Sequence, residues 1–429
     1  MKRLFFCCLF CILFHSFLQG QVLTRSSSLR DFEEQALKRN LSLLSGRLDI
    51  RQAEADIITA GLRQNPVATL VADILPFPGE RFSPNDKQYG LSVALPIETN
   101  AKREYRLETA QNLALLQKMQ VQNAARQILL AVRLAYFDAL GAQEQVSIAT
   151  ANVDSYKRLV ALNEIRYKSS QISQTEFSRS ELALEQAELQ LREAELSSTK
   201  AERALLLAIG DNDATSDITF TERLQALTVD SALTRTPLET LQKQALDRRY
   251  DVLAARLLKA SAEANQRLQE ANALPDLTIA PEFTMQQTIP MYGVTGSMAL
   301  PFNNRNEGER QKAVMRIEQS ERQISLAALT VKNEVQTSFA EFQMRTGALQ
   351  RYRSSSSPAV PSGILSRASG IKSASELSYK AGGISLLELL DAVRIYNEIY
   401  KSYVDALTLF NKSVVSLIAA LGADVIAIE

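Results

Sequence analysis

The stretch YKSSQISQTEF at residues 167–177 returns as YKAGGISLLEL at residues 379–389. Both copies hold Tyr-Lys, a run of small residues, then Ile-Ser before a new apolar pattern. In the second copy Gly382 and Gly383 supply the φ > 0 conformations that reverse a chain. The following helix then starts near Ser385, and Glu388 and Asp391 fall in its first two turns. The first copy has Ser169-Ser170 where the second has Ala381-Gly382, a less glycine-like turn.

Other landmarks repeat in the same order. SLRDFEEQALKRN (28–40) matches PLETLQKQALDRR (237–249), with Leu29 on Leu238 and Gln35-Ala36-Leu37 on Gln244-Ala245-Leu246. Asn65-Pro66 falls on Leu274-Pro275, Leu95-Pro96 on Leu300-Pro301, and Gly210 on Gly422. A duplication fixes the architecture before any element is assigned. It divides the chain into a leader at 1–20, a first repeat at 21–210, a polar linker at 211–235, a second repeat at 236–422 and a tail at 423–429. Each repeat reads helix, strand, strand, long helix, turn, helix. Thr236-Pro237-Leu238-Glu239 reads as a capping box opening the second repeat.

Composition narrows the function. The chain carries 48 basic and 48 acidic side chains. That balance argues against nucleic acid as partner. Only 16 Gly and 12 Pro in 429 residues favour long helices. The first twenty residues, MKRLFFCCLFCILFHSFLQG, have a basic start and an apolar run too short to span with normal flanks, and so read as a secretory signal. All three Cys and the single His lie within it. Its removal leaves no thiolate or imidazole for metal binding, nucleophilic attack or base catalysis, and no disulfide. No enzyme, no metal site and no cofactor are expected. No other apolar run approaches the about 20 residues of a membrane helix.

Four segments alternate as strands do. In LTIAPEFTMQ (277–286), Leu277, Ile279, Phe283 and Met285 share one face, and Thr278, Glu282, Thr284 and Gln286 share the other. Leu91, Val93 and Leu95 alternate in YGLSVALP (89–96), Leu70 and Ile74 oppose Thr69 and Asp73, and residues 292–302 repeat the period more weakly. A half-buried soluble sheet explains the pattern equally well. From about Asn100 to about Asn163, however, there is no Pro and one Gly, Gly141. A helix of roughly 60 residues runs ~90 Å, beyond a globular domain. The following helix has heptads at Leu182, Leu189 and Leu196, and a second seam at Ala187, Ala194, Ala201 and Ala208. An antiparallel coiled-coil hairpin alone accounts for these. Strand length suits a membrane barrel, but four strands cannot close one, and open edges are not tolerated in lipid. Three chains supply twelve strands, and their hairpins continue the barrel as a tunnel.

The duplication, the two Ala-Leu-Pro strand ends, the RYKSSQIS and SYKAGGISLLELLDA tips, and Gly210 and Gly422 resemble the TolC-like outer-membrane efflux channel family over nearly the whole chain after the leader. ALPFNNRNEGERQKA (299–313), RRYDVLAAR (248–256) and LPDLTIAP (274–281) are similar to its cobalt–zinc–cadmium efflux subgroup. Asn303, Asn304, Asn306 and Gly308 equally suit a turn and helix start. The resemblance implies a mainly α chain with four β-strands, acting as a homotrimer with a twelve-stranded outer-membrane barrel and an α-helical tunnel across the periplasm. It implies a passive export duct for metal cations or drugs, working with a periplasmic adaptor and an inner-membrane pump, of RND type. Extra residues in the second repeat, near SSSSPAVPSG (354–363), read as part of a mid-tunnel belt, with Pro358 and Pro361 breaking the helix.

The tips carry the candidate sites. Tyr167, Lys168, Ser169, Ser170, Gln171, Ile172 and Ser173, with Tyr379, Lys380, Ala381, Gly382, Gly383, Ile384 and Ser385, are the expected adaptor-docking turns. Glu388 and Asp391, three apart, share a helix face. In the resembled family acidic rings sit at this place, and three chains would bring six carboxylates to the narrow end. Such rings favour cations, and crowding raises carboxyl pKa values. Acids in a first helical turn are favoured by the helix dipole in any case. Glu176 and Arg179 occupy the matching positions of the first repeat, where Arg179 could latch an acid of a neighbouring hairpin. A structural coiled-coil or adhesin-like surface protein, or the adaptor itself, is the competing reading.

Overall fold

The computed structural model describes residues 25–73, 87–211, 218–229, 235–286, 289–353 and 363–423. The leader at 1–20, Ile74, Pro358, Pro361 and the tail from 424 lie outside these residues. In chain order the elements are β1 (Arg25–Ser27), α1 (Leu29–Arg39), α2 (Leu41–Gly61), β2 (Val67–Asp73), β3 (Gln88–Ile97), α3 (Lys102–Lys168) and α4 (Gln174–Ile209). They continue with β4 (Ile218–Phe220), α5 (Leu238–Arg248), α6 (Tyr250–Ala271), β5 (Leu277–Gln286), β6 (Ile289–Met298), α7 (Glu307–Arg353), α8 (Ile364–Lys380) and α9 (Leu386–Ala420). The chain is mainly helical, with one four-stranded antiparallel sheet in the order β2-β3-β5-β6.

The opening helix of each half is two helices, not one. Asn40 and Arg249 take extended conformations, with ψ of 118° and 132°, and break it. Each break residue then serves the end of a distant helix. The Asn40 amide donates to Ala208 O (3.4 Å), and the Arg249 guanidinium donates to Ala420 O (3.3 Å). The glycines that follow, Gly210 and Gly422, sit in the left-handed region at φ 76° and 64°. A Cβ on Gly210 would meet Asn40 Cα at 3.0 Å, and one on Gly422 would meet Arg249 Cγ at 2.9 Å. Matched positions thus do matched work. Arg249 is 1% exposed and is held by Asp251 (2.5 Å) and Glu334, so its buried charge is compensated.

Two compact units form, Met1–Leu41, Gln127–Arg235 and Ser338–Ala419 in one, and Ser42–Arg126, Thr236–Thr337 and Ala420–Glu429 in the other. The first has an apolar core of Phe32, Val132, Tyr136, Phe137, Leu205 and Ile209. The buried Tyr136 hydroxyl donates to Glu222 (2.9 Å), and Asn411 accepts from Leu227 N (2.9 Å) and donates to Gln225 O (2.7 Å). With β1 pairing β4 in parallel, residues 218–229 are stitched into this unit; composition alone reads them as a linker.

The second unit holds the sheet and its exits. Lys102 Nζ donates to Leu274 O (2.6 Å) and Asp276 (2.7 Å), tying the β3–α3 turn to the α6–β5 turn. At the β6–α7 turn, Asn306 (φ 60°) donates its amide to Gln269 O and Oε1, and Asn304 accepts from Asn306 N. These Asn side chains shape the junction.

Three expectations are corrected. Leu238 is the first helical residue of α5 and Pro237 its cap, without a side-chain cap bond. Thr236 therefore lies one position before the cap, and Pro237 stands at the cap itself rather than at the first helical position. The fourth strand is Ile289–Met298 rather than 292–302: Phe302 N turns back to Leu300 O (2.9 Å), and Pro301 has no N–H to offer a ladder. Finally, Leu386–Ala420 is long and apolar enough to cross a membrane by length and composition, but 56% of its most apolar stretch is buried against the rest of the chain.

Gly422→Ala forces a left-handed Ala against a pinned Arg249 and should lower stability by about 1–2 kcal/mol or more. Gly347 is exposed in mid-helix with nothing within 4 Å of its absent Cβ. Gly347→Ala should raise stability by about 0.8–1 kcal/mol. Thermal melts followed by far-UV circular dichroism should move in opposite directions.

Candidate functional site

The two tips are built alike. At the first, Gln171 N donates to Arg166 O (2.8 Å) and Ser170 N to Tyr167 O (2.9 Å). At the second, Gly383 N donates to Ser378 O (2.8 Å) and Gly382 N to Tyr379 O (3.0 Å). This 6→1 and 5→2 pair is a Schellman stop, which needs one left-handed residue. Ser170 (φ 59°) and Gly382 (φ 78°) supply it. Gly383 is not left-handed, so one glycine of the pair reverses the chain, not both.

Each tip restarts with a capping box. Glu176 N donates to Ser173 Oγ (3.2 Å), and Ser173 N donates to Glu176 Oε2 (3.3 Å). Glu388 N donates to Ser385 Oγ (3.3 Å), while Ser385 N and Oγ donate to Glu388 Oε2 (2.8 and 3.0 Å). The Ser385 backbone N–H, then its hydroxyl, hold the Glu388 carboxyl below its usual range. In one chain this opposes the rise that crowding alone implies. Asp391 pairs with Arg394 (2.6 Å), which also meets Glu398 (2.9 Å). Arg179 is exposed and in no ion pair among the described residues.

Sequence reasoning gave no role to Arg166 or Asn163, which join the tips through Tyr379, a residue it read as adaptor-docking. Arg166 donates to Tyr379 O (3.3 Å) and Lys380 O (3.0 Å), satisfying the last carbonyls of α8, and lies over the Tyr379 ring at 4.9 Å. The Tyr379 hydroxyl donates to Asn163 Oδ1 (2.6 Å) inside an apolar cluster with Leu386, Leu389 and Val393. Tyr167 stacks on Phe177 at 5.5 Å. The signal was visible in part, since Arg166 opens the RYKSSQIS tip. Its partner 213 residues on was not.

Of the two α4 seams, Ala187 is buried, while Leu182, Leu189 and Leu196 are 55–63% exposed. The leucine stripe has no cover among the described residues.

The sheet register separates two faces. Leu70, Leu91, Phe283 and Tyr292 form one four-strand rung, and Thr69, Ser92, Glu282 and Gly293 the adjacent one. Side chains of successive rungs point to opposite faces. The first face also gathers Ala68 and Val93, Leu95 and Ile279, Tyr89 and Met285, Val294, and the Ile97–Leu277–Met298 rung. It is apolar throughout and exposed: Leu70 is 80% and Tyr292 84% accessible. The β3–β5 ladder is interrupted opposite Pro281, which has no N–H. Among the described residues, no group of three or more His, Cys, Asp or Glu is placed to hold a metal ion.

Residues 33–211 match the outer membrane efflux protein family. The chain is 26% identical over 273 residues to a Pseudomonas putida protein named pyoverdine export outer membrane protein OpmQ; the match covers 60% of this chain and 54% of that one. It thus spans about half the length of that relative. It is 23% identical over 367 residues to the cobalt-zinc-cadmium resistance protein CzcC of Cupriavidus metallidurans, covering 83% of this chain and 80% of that one. Its fold is that of a membrane protein from Pseudomonas aeruginosa, with TM-score 0.76 at 19% identity over 92% of this chain and 93% of that one.

The tip geometry is testable. Gly382→Ala should cost about 1–2 kcal/mol of tip stability, and Gly383→Ala much less. Ser170→Gly should stabilise, because the strain relieved (roughly 1–2 kcal/mol) exceeds the unfolded-chain entropy added (roughly 0.4–1 kcal/mol). Amide exchange at the tips reads all three. A depressed Glu388 pKa contributes stability above the ordinary 4.5, lost as pH falls through the folded value. Protection at Leu386–Leu390 should fall over that acid range, and Ser385→Ala, which removes the hydroxyl but keeps the backbone N–H that acts most, should weaken the pH dependence without abolishing it.

Proposed function

We propose that this chain, whose residues 33–211 form an outer membrane efflux protein domain, is the outer-membrane duct of a tripartite exporter. Members of that family are passive channels, and the chain is no enzyme. The observation that carries the reading is the sheet, apolar on one face and largely small and polar on the other, with both edges, β2 and β6, unpaired among the described residues. An exposed apolar face of this kind suits lipid, and lipid does not tolerate open edges. Three copies joined β6 to β2 close a twelve-stranded barrel. The uncovered Leu182, Leu189 and Leu196 stripe is then the seam between neighbouring copies of the helical tunnel. A surface coiled coil gives no use for the apolar sheet face.

The remaining assignments follow this frame. Residues 1–20 are removed on export, and 21–210 and 236–422 are repeats that each give the barrel two strands and the tunnel one hairpin, with 211–235 between them. The tips at 167–173 and 379–385 dock a periplasmic adaptor, which links the duct to an inner-membrane pump of RND type. Glu388 and Asp391 ring the narrow end, with Arg394 offsetting part of the charge, and Arg179 reaches an acid of the next hairpin. One relative is named for pyoverdine export and another for cobalt-zinc-cadmium resistance. Selection between metal cations and drugs therefore belongs upstream, to the pump.

In an outer-membrane fraction the protein should run as a heat-modifiable trimer. Phe283→Arg, on the lipid face, should cost roughly 2–4 kcal/mol, and Thr284→Arg much less. A larger loss for Thr284→Arg would reverse the faces. Crosslinkers at Ser170 and Gly383 should capture the adaptor; an active pump with nothing captured moves docking elsewhere. Planar-bilayer recording of a Glu388→Gln, Asp391→Asn double variant should show weaker cation preference and weaker block by multivalent cations, and unchanged behaviour removes the ring.

A further inference from the structure

Glu282 is the single charged residue of β3, β5 and β6. It stands mid-strand on the polar face, between Ser92 and Gly293. Gly293 is not left-handed, so its backbone does not require glycine. What the missing side chain provides is room. A Cβ on Gly293 would lie 2.7 Å from Glu282 Oε1 and 3.0 Å from its Cγ. The Glu282 side chain therefore lies along the sheet, across the Gly293 backbone, instead of standing off it. It has no ion pair among the described residues, and those three strands carry no Lys or Arg to neutralise it.

We propose that Glu282 is a cation-selecting residue of the barrel, its carboxylate laid against the wall by Gly293. The inference rests on the three-chain barrel proposed above and adds a second selecting position, apart from the tips. Twelve strands about 4.8 Å apart and tilted about 40° give a backbone diameter of ~24 Å. Three carboxylates lying on that wall are roughly 15 Å apart. Their field reaches across the lumen when the Debye length is about 30 Å, near 0.01 M salt, and is cut short at about 8 Å near 0.15 M. With no second ligand beside it, each carboxylate attracts cations and repels anions without coordinating a metal. The class selected is small cations in general, with no discrimination among divalent metals.

The test is the reversal potential of the full-length protein in planar bilayers under a potassium chloride gradient. From a base of about 0.01 M, Glu282→Gln should lower the cation-to-anion permeability ratio by about twofold or more, and by much less near 1 M. Gly293→Ala keeps the charge but lifts the carboxylate off the wall, and should keep cation preference at lower conductance. Channels whose ratio is the same in Glu282→Gln overturn the inference and leave the barrel standing. Thiol labelling separates the two readings. Glu282→Cys should react with a membrane-impermeant charged reagent, and Phe283→Cys should not. The reverse pattern, or a protein that forms no conducting channel, overturns the barrel and the selecting residue together.

Discussion

Every backbone N–H and C=O removed from water needs a partner, and the rest of this structure depends on how that demand is met where elements end. Helices of 67 and 36 residues cannot fade out; their last carbonyls must be taken up. At the tips a Schellman turn does so with one left-handed residue, and Arg166 donates from the opposite hairpin to Tyr379 O a second time and to one further carbonyl, Lys380 O. At the other end of α4 and α9 the left-handed residue is Gly210 or Gly422, and the extra donor is Asn40 or Arg249. Among the described residues the same demand is left unmet at the outer edges of β2 and β6, where the proposed barrel would meet it with neighbouring copies.

What was legible in the sequence follows the range of the interaction. Turns and starts are local, so the Tyr-Lys tips, the strand alternation and the long α3 could be read directly. The β5 and β3 faces needed only a period of two. Donors that act across 168 to 213 residues, such as Asn40, Arg249 and Arg166, look like ordinary surface residues in one dimension. Arg249 reads as one charge in RRYDVLAAR and proves to be among the most buried side chains. The start of α5 differs for a smaller reason: Pro237, not Thr236, stands at its cap, a shift of one residue.

The acids at the tips show why residue type alone does not name a role. Glu176 and Glu388 sit at the third helical position, where a carboxylate closes a capping box in any protein. That work explains their presence without a pore. Asp391 has no such duty, but Arg394 is beside it. The proposed ring therefore has less uncommitted charge than a count of carboxylates suggests.

Glu282 is the opposite case. Capping does not explain it, no ion pair among the described residues uses it, and a strand buried on both faces would leave its charge unpaired at a cost of several kcal/mol. Its place is tolerable only if the polar face meets water. The apolar rung of Leu70, Leu91, Phe283 and Tyr292 next to it needs the reverse. One sheet satisfies both where lipid lies on one side and an aqueous lumen on the other. In the barrel proposed here, a single rung of four residues beside another thus sets which way the sheet would curve.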